Sequence, residues 1–154
     1  MIQCVPKGVC SWNYVLQGAA EIAKVDFHLV KEQGEIVIGP RVFDVKKHGV
    51  GSGHWTLEEA GEVIVSAHKK SPLRRVFKMH STMGNLKLEA ELPMKRAFLL
   101  KHHDKELLRI APTHALTKRA TIDLKTSEYE LPVVSFAFWL VVLTWRRAGS
   151  STGG

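Results

Sequence analysis

A chain of 154 residues, 45% apolar and 24% charged, is long enough to bury a full core as one domain, and that composition excludes disorder and fibrous repeats. Twenty-two Lys and Arg against 15 Asp and Glu give a formal charge of +7, which favours anionic partners, nucleic acid or an anionic membrane face, without saying anything about the fold. Cys4 and Cys10, at C-x5-C spacing, match neither a redox CxxC pair nor a zinc knuckle and read as two small buried or half-buried hydrophobes.

From the N-terminus, MIQCVPKGVCSW has no basic region followed by a continuous apolar run and a small-residue cleavage site, so a cytoplasmic protein is expected. Short Val-, Ile-, Phe- and Trp-containing segments then recur about every 8 to 12 residues, the spacing of an all-β sandwich or barrel. Strands are predicted over 11–16, 21–28, 35–38, 41–46, 54–58, 63–69, 75–80, 86–91, 96–101, 106–110, 114–117 and 119–124. Alternation is clearest where Phe77 and Met79 oppose Val76, Lys78 and His80, and where Leu86, Leu88 and Ala90 oppose Lys87, Glu89 and Glu91.

Glu32-Gln33-Gly34, Glu59-Ala60-Gly61, Thr82-Met83-Gly84-Asn85 and His102-His103-Asp104-Lys105 are short enough to close hairpins, which predicts consecutive antiparallel pairing. The glycine-rich run His48 to His54 lacks the strand, helix and GK[ST] ending of a phosphate cradle and reads as a hairpin loop. Arg-x-Phe recurs at Arg41–Phe43, Arg75–Phe77 and Arg96–Phe98, which predicts arginine and aromatic stacked at similar barrel positions.

Leu131 to Arg147, LPVVSFAFWLVVLTWRR, is apolar on every side and predicts a helix enclosed by protein or lipid. Its run to Trp145 spans roughly 22 Å at ~1.5 Å per residue, short of the ~30 Å hydrocarbon core of a bilayer, so protein is the expected enclosure. Ser127, Glu128 and Glu130 suit its N-terminal end, Pro132 its first turn, and Arg146 and Arg147 its C-terminal dipole, with Gly149 as the stop. A barrel of about twelve strands is too wide for side chains alone to fill. The expected architecture is therefore mainly β: one domain over 1–148, a roughly 12-stranded antiparallel barrel around a hydrophobic helix at about 131–147, and a flexible tail at 149–154.

This pattern resembles the tubby C-terminal superfamily, which includes the phospholipid scramblases and the LURP-one-related proteins. The residues that carry the resemblance are 41–46 and 75–80, the SGHWTLEE segment, the RRVF element, and RATIDL leading to the apolar terminal helix. It covers Ser11 to Arg147 and implies a non-enzymatic barrel closed around its last helix, with recognition of phosphoinositides by basic residues as in tubby proteins. Calcium binding of the scramblase type has no Asp-rich loop to support it.

Eight histidines form no HxxxH, HExxH or HxH pattern, and His102-His103 falls at a predicted hairpin tip, so no metal or other cofactor is expected. There is no G-x-S-x-G elbow, and no catalytic residues are assigned; the chain reads as a non-enzyme. The best functional candidate is the segment from His68 to Lys78, whose Lys69, Lys70, Arg74, Arg75 and Lys78 have no intervening acid and are broken at Pro72. These five residues are the predicted site for an anionic phospholipid headgroup or membrane face. Two alternatives stand beside it. One is nucleic-acid binding, with Phe77 and Phe98 stacking bases; the other is membrane association, with the terminal helix as an anchor.

Overall fold

The computed structural model describes residues 1–28, 30–51 and 53–152, the last three by their backbone alone. Twelve strands precede one helix: β1 (Ile2–Pro6), β2 (Tyr14–Gln17), β3 (Ala23–Phe27), β4 (Gly34–Ile38), β5 (Arg41–Lys47), β6 (His54–Glu59), β7 (Glu62–His68), β8 (Val76–Ser81), β9 (Gly84–Ala90), β10 (Phe98–His102), β11 (Lys105–Pro112), β12 (Ala120–Leu124) and α1 (Leu131–Thr152). Each strand pairs antiparallel with its neighbours in sequence, and β1 pairs with β12 through Ile2↔Ile122 and Cys4↔Ala120, closing the barrel. Closure leaves no edge strand to template association.

Period-two alternation decides which side chains fill the interior. Phe77, Met79, Leu86 and Leu88 are buried while Lys78 and His80 are exposed. Through the middle runs α1: every residue from Val133 to Trp145 is buried, on all faces of the helix. A helix with no exposed face over nearly four turns is enclosed, as the barrel's width requires. Trp139 anchors it to β3, its ring stacked on Phe27 at 4.5 Å and its indole N–H donating to the Asp26 carbonyl at 3.3 Å. Opposite lies Gly34, where an added Cβ would stand 2.1 Å from the Asp26 oxygen and 2.7 Å from Trp139 Nε1. Only a residue without a side chain lets strand and helix approach so closely.

The meander sorts the connections into two kinds. At the end where α1 enters, strands are joined by residues 39–40, 60–61, 82–83 and 103–104, with one longer link at 18–22. Ala60 with Gly61, and His103 with Asp104, are paired left-handed residues (φ 48° to 81°), as two-residue hairpins require. At the end where α1 leaves lie six loops of six or seven residues: 7–13, 28–33, 48–53, 69–75, 91–97 and 113–119.

Several expectations are corrected. The predicted strand at 114–117 is the tip of a loop, closed by the Thr117 amide on the His114 carbonyl at 3.3 Å with Leu116 fully exposed. Its place as twelfth strand is taken by β1, where Ile2 and Cys4 alternate inward. Cys10 is exposed, and both cysteines are free thiols. Burial pushes the Cys4 thiol far above its ordinary range.

The helix also continues through Gly149 to Thr152. Extending a formed helix adds a hydrogen bond for each residue fixed, so one glycine does not end it, and Gly149 lacks the left-handed φ of a C-terminal cap. At 22 residues, and long and apolar enough over Leu131–Gly149 to cross a membrane by length and composition, the helix is not too short to span. What occupies its apolar surface is the barrel. The residue preceding its first turn is Glu130, whose carbonyl accepts from Val134 and whose carboxylate accepts from Thr82 at 2.6 Å; Ser127 is not the cap. Ser52, in the glycine-rich loop, lies outside the described residues, while Gly49, Gly51 and Gly53 all have left-handed φ.

Candidate functional site

Five cations were predicted to form one site, and the 69–75 loop divides them between two faces. Lys70, Arg74 and Lys78 converge with Ser71 and Val76 on a pocket of about 250 Å³ on the flank of the barrel. No carboxylate pairs with any of the three among the described residues. The Lys70 amine in contact with Lys78 holds Lys78 below the usual lysine range, which is the signature of positive charges gathered without a counter-ion. An anion entering this pocket relieves that repulsion.

Lys69 and Arg75 turn the other way, over the mouth where α1 leaves. Lys69 lies 5.8 Å from the Phe77 ring centroid, and burial, then the charge of Arg147, holds its amine below the ordinary range. Arg75 lies over Phe98 at 5.6 Å and donates to two carbonyls of the next loop, Leu92 at 2.9 Å and Pro93. The predicted site is thus one three-cation pocket and two structural cations.

Arg75 is the first of a series. Arg96 reaches onward to the carbonyls of Ala115 and Thr117, both at 3.3 Å, with its guanidinium 4.8 Å from the Trp145 ring. Lys118 continues to the Ser11 carbonyl at 3.5 Å and lies 4.2 Å from the Trp12 ring. In each case a loop's cation clasps carbonyls of its neighbour and covers an aromatic ring. Further fastenings are Asn13 Oδ1 accepting from the Phe27 amide at 2.8 Å, Gln33 Oε1 accepting from the Lys47 amide at 3.3 Å, and the Gly53 carbonyl accepting from the Lys69 amide at 2.7 Å. The loops 48–53, 69–75, 91–97, 113–119 and 7–13 are pinned in succession, and Asn13 and Gln33 fasten their loops to the ends of β3 and β5.

Of the three Arg-x-Phe repeats, only Arg41 covers its own phenylalanine, at 4.8 Å from the Phe43 centroid. The others cover rings across the barrel mouth. The informative signal was the basic doublet closing three successive loops, Arg74-Arg75, Lys95-Arg96 and Lys118-Arg119. Their spacing follows the hairpin length, not a strand period.

Because α1 runs on to Thr152, Arg146 and Arg147 lie before its last turn, and Arg146 donates to the His28 carbonyl at 3.5 Å. Arg147 makes a two-pronged pair with Glu32, its Nη2 at 2.7 Å from Oε1, and Lys47 reaches the same carboxylate at 2.5 Å. These hydrogen bonds, led by that of Arg147, bring the Glu32 pKa down to about 2. Arg146 lies 5.7 Å from the Phe27 ring.

Elsewhere, His54 and His68 stack along the outer wall at 4.0 Å, with His48 tilted beside His54 at 4.7 Å. Burial, with the neighbouring imidazoles, holds His54 below its ordinary pKa. Among the described residues no group of three or more His, Cys, Asp or Glu side chains is arranged to ligate a metal. A cavity of about 540 Å³ at the opposite end, between Met83, His102, Leu107 and Tyr129, carries Lys105 together with Glu128 and Glu130, charges of both signs. Phe77 and Phe98 are fully buried inside the barrel, so neither offers a face on which a base stacks.

No protein-family model, curated protein or solved structure matches this chain.

Proposed function

We propose that the protein is a non-enzymatic, cytoplasmic binding module that recognises the phosphorylated headgroup of an anionic lipid. The observation that carries this reading is the pocket formed by Lys70, Arg74 and Lys78, three cations without a carboxylate partner around about 250 Å³. A phosphate supplies acceptor oxygens to two ammonium groups and a guanidinium fork at once, which a single carboxylate does not. The closed barrel around its last helix supports the tubby-like resemblance, whose implied ligand is of the same class.

Cosedimentation with vesicles of neutral lipid alone, and with a fifth of the lipid anionic, tests the reading. Binding is expected to the second and to weaken as salt rises. Each cation near an anionic surface contributes about 1 kcal/mol, so the variant Lys70→Gln/Arg74→Gln/Lys78→Gln should bind on the order of 100-fold more weakly. Equal binding of this variant would remove the pocket from the account.

A further inference from the structure

Exposed apolar side chains are unevenly placed on this molecule. Among the described residues, Val9, Val30, Val50, Leu73, Met94 and Leu116 are each more than nine-tenths exposed, and the next most exposed large apolar residue is Met1 at 67%. These six occupy the six long loops, one in each, all at the end where α1 leaves the barrel. The turns of the opposite end carry none of comparable exposure. Single exposed hydrophobes are ordinary; one at every loop of a ring, and none across the molecule, forms a patch with a single orientation.

Charge follows the same division. The six loops hold ten Lys and Arg against two acids, Glu32 and Glu91, while the remainder of the chain has twelve Lys and Arg against thirteen acids. The whole positive excess of the protein therefore sits among the apolar tips. Val9 and Leu116 share a cleft of about 470 Å³ with Lys118 and Arg119, and Leu73 stands between Lys70 and Arg74 in sequence. Because Arg75, Arg96 and Lys118 clasp adjacent loops, the tips at Leu73, Met94, Leu116 and Val9 are carried by four loops fastened to one another and need no ordering on binding. Ordering that is already complete is not charged against affinity.

We propose that this end of the barrel is a membrane-insertion crown: the six apolar tips enter the interfacial and upper acyl region of an anionic bilayer, and the basic residues between them lie at the level of the lipid phosphates. An apolar surface ringed by cations matches the vertical order of a bilayer leaflet, hydrocarbon beneath phosphate. The proposal deepens the headgroup reading and rests on it, since the Lys70–Arg74–Lys78 pocket lies beside the Leu73 tip and meets a headgroup when that tip is seated. It also assigns the helix a role distinct from anchoring: α1 stays in the barrel, and loops do the inserting.

The test uses the full chain with vesicles of phosphatidylcholine and phosphatidylserine. In one set, Met94 or Leu116 is replaced by Cys in a Cys10→Ser background and labelled with an environment-sensitive fluorophore; His80→Cys, on the barrel wall, is the reference. A blue shift with quenching by lipids brominated in the upper acyl chain is expected at positions 94 and 116 and absent at 80. In a second set, the unlabelled variant Leu73→Ser/Met94→Ser/Leu116→Ser should melt as the parent does, because its side chains touch solvent. It should bind at least ~100-fold more weakly, from the loss of apolar burial, even at salt high enough to screen the pocket.

If the protein binds vesicles but its tips are not quenched and the serine variant binds as the parent, insertion is overturned and the headgroup reading stands. If the serine variant fails to bind while the Lys70/Arg74/Lys78 variant binds normally, insertion into the anionic bilayer stands and the pocket is removed from the headgroup reading. No binding to any anionic vesicle overturns both. Concentration-dependent dimerisation that the serine substitutions abolish, with vesicle binding unchanged, would assign the crown to a second copy of the chain and overturn its assignment to a membrane.

Discussion

Arg96 and Trp145 hold each other by two different interactions. The indole N–H donates to the Arg96 carbonyl at 2.9 Å, and the Arg96 guanidinium lies 4.8 Å from the indole ring centroid. The same guanidinium donates to the Ala115 and Thr117 carbonyls of the neighbouring loop. One side chain therefore couples helix, loop and loop, and buried indole N–H and loop carbonyls are satisfied together.

Removing that side chain should loosen the mouth without collapsing the barrel. Arg96→Ala is expected to cost about 1 to 3 kcal/mol, since it leaves the carbonyls without a charged donor and uncovers the ring. Arg96→Lys should recover only part, because an ammonium lacks the planar face that covers the Trp145 ring while Nη1 donates to both carbonyls. Urea denaturation of the three proteins checks the order; a lysine variant as stable as the parent would reduce Arg96 to a simple charge.

Glu32 sets the acid side of the stability profile. Its folded pKa of about 2 lies below the ordinary 4.5, so the folded state binds fewer protons than the unfolded one between those values. Stability from this group is full above about pH 4.5 and is lost as pH falls towards about 2. With Arg147 40% exposed, solvent screening reduces the contribution to about 1 to 2 kcal/mol. Denaturation midpoints of the parent and Glu32→Gln, measured from pH 2 to 6, should converge at the acid end and separate above pH 4.5; parallel curves would show that the pair contributes nothing.

Much of this architecture is legible in the chain because inward and outward residues alternate by rules of two. Phe77, Met79, Leu86 and Leu88 announce their strands, and an apolar helix with no polar face announces its enclosure. The segment 114–117 misled because His, Ala, Leu and Thr suit a strand locally, whereas β1, Ile2–Pro6, is short and carries Gln, Cys and Pro in place of a run of β-branched residues. The division of the basic loop was not legible. Whether Lys69 or Lys70 turns towards the mouth depends on how the chain bends at Pro72, and the clasp of Arg75 on Leu92 requires knowing that adjacent hairpins bring their loops together. The apolar tips were legible only after the topology showed six loops to be at one end.

Ser135 is the one polar side chain in the fully enclosed part of α1 whose oxygen finds no hydrogen-bond partner among the described residues. Thr144, further along, solves the same problem by donating to the Leu140 carbonyl at 3.1 Å. Leaving a hydroxyl dry and unsatisfied costs about 1 to 3 kcal/mol, and alanine occupies nearly the same volume with better helix propensity. Ser135→Ala should therefore raise stability by about 1 kcal/mol, read as a higher denaturation midpoint at unchanged slope. A clear loss would mean that Ser135 meets a partner, such as an internal water, that holds the helix in place.

The enclosed helix supplies the barrel's core, and its removal should be felt globally. Leu140 is fully buried, so Leu140→Ala is expected to cost about 2 to 5 kcal/mol through lost contact and a residual cavity, a large share of the ~5 to 15 kcal/mol that holds a domain together. Trp139→Asp places a carboxylate against Phe27 and the Asp26 carbonyl with no cation to meet it, and the protein should fail to fold. Deleting the chain after Glu130 should leave strands that are insoluble or lack cooperative melting, because a twelve-stranded barrel is too wide for its own side chains to close the gap. The leucine variant separates this account from a trivial failure to express: it should remain folded, with a lower midpoint and an unchanged denaturant slope. If the truncated protein instead stays soluble and melts sharply, the barrel has a core of its own and the helix only rests inside it.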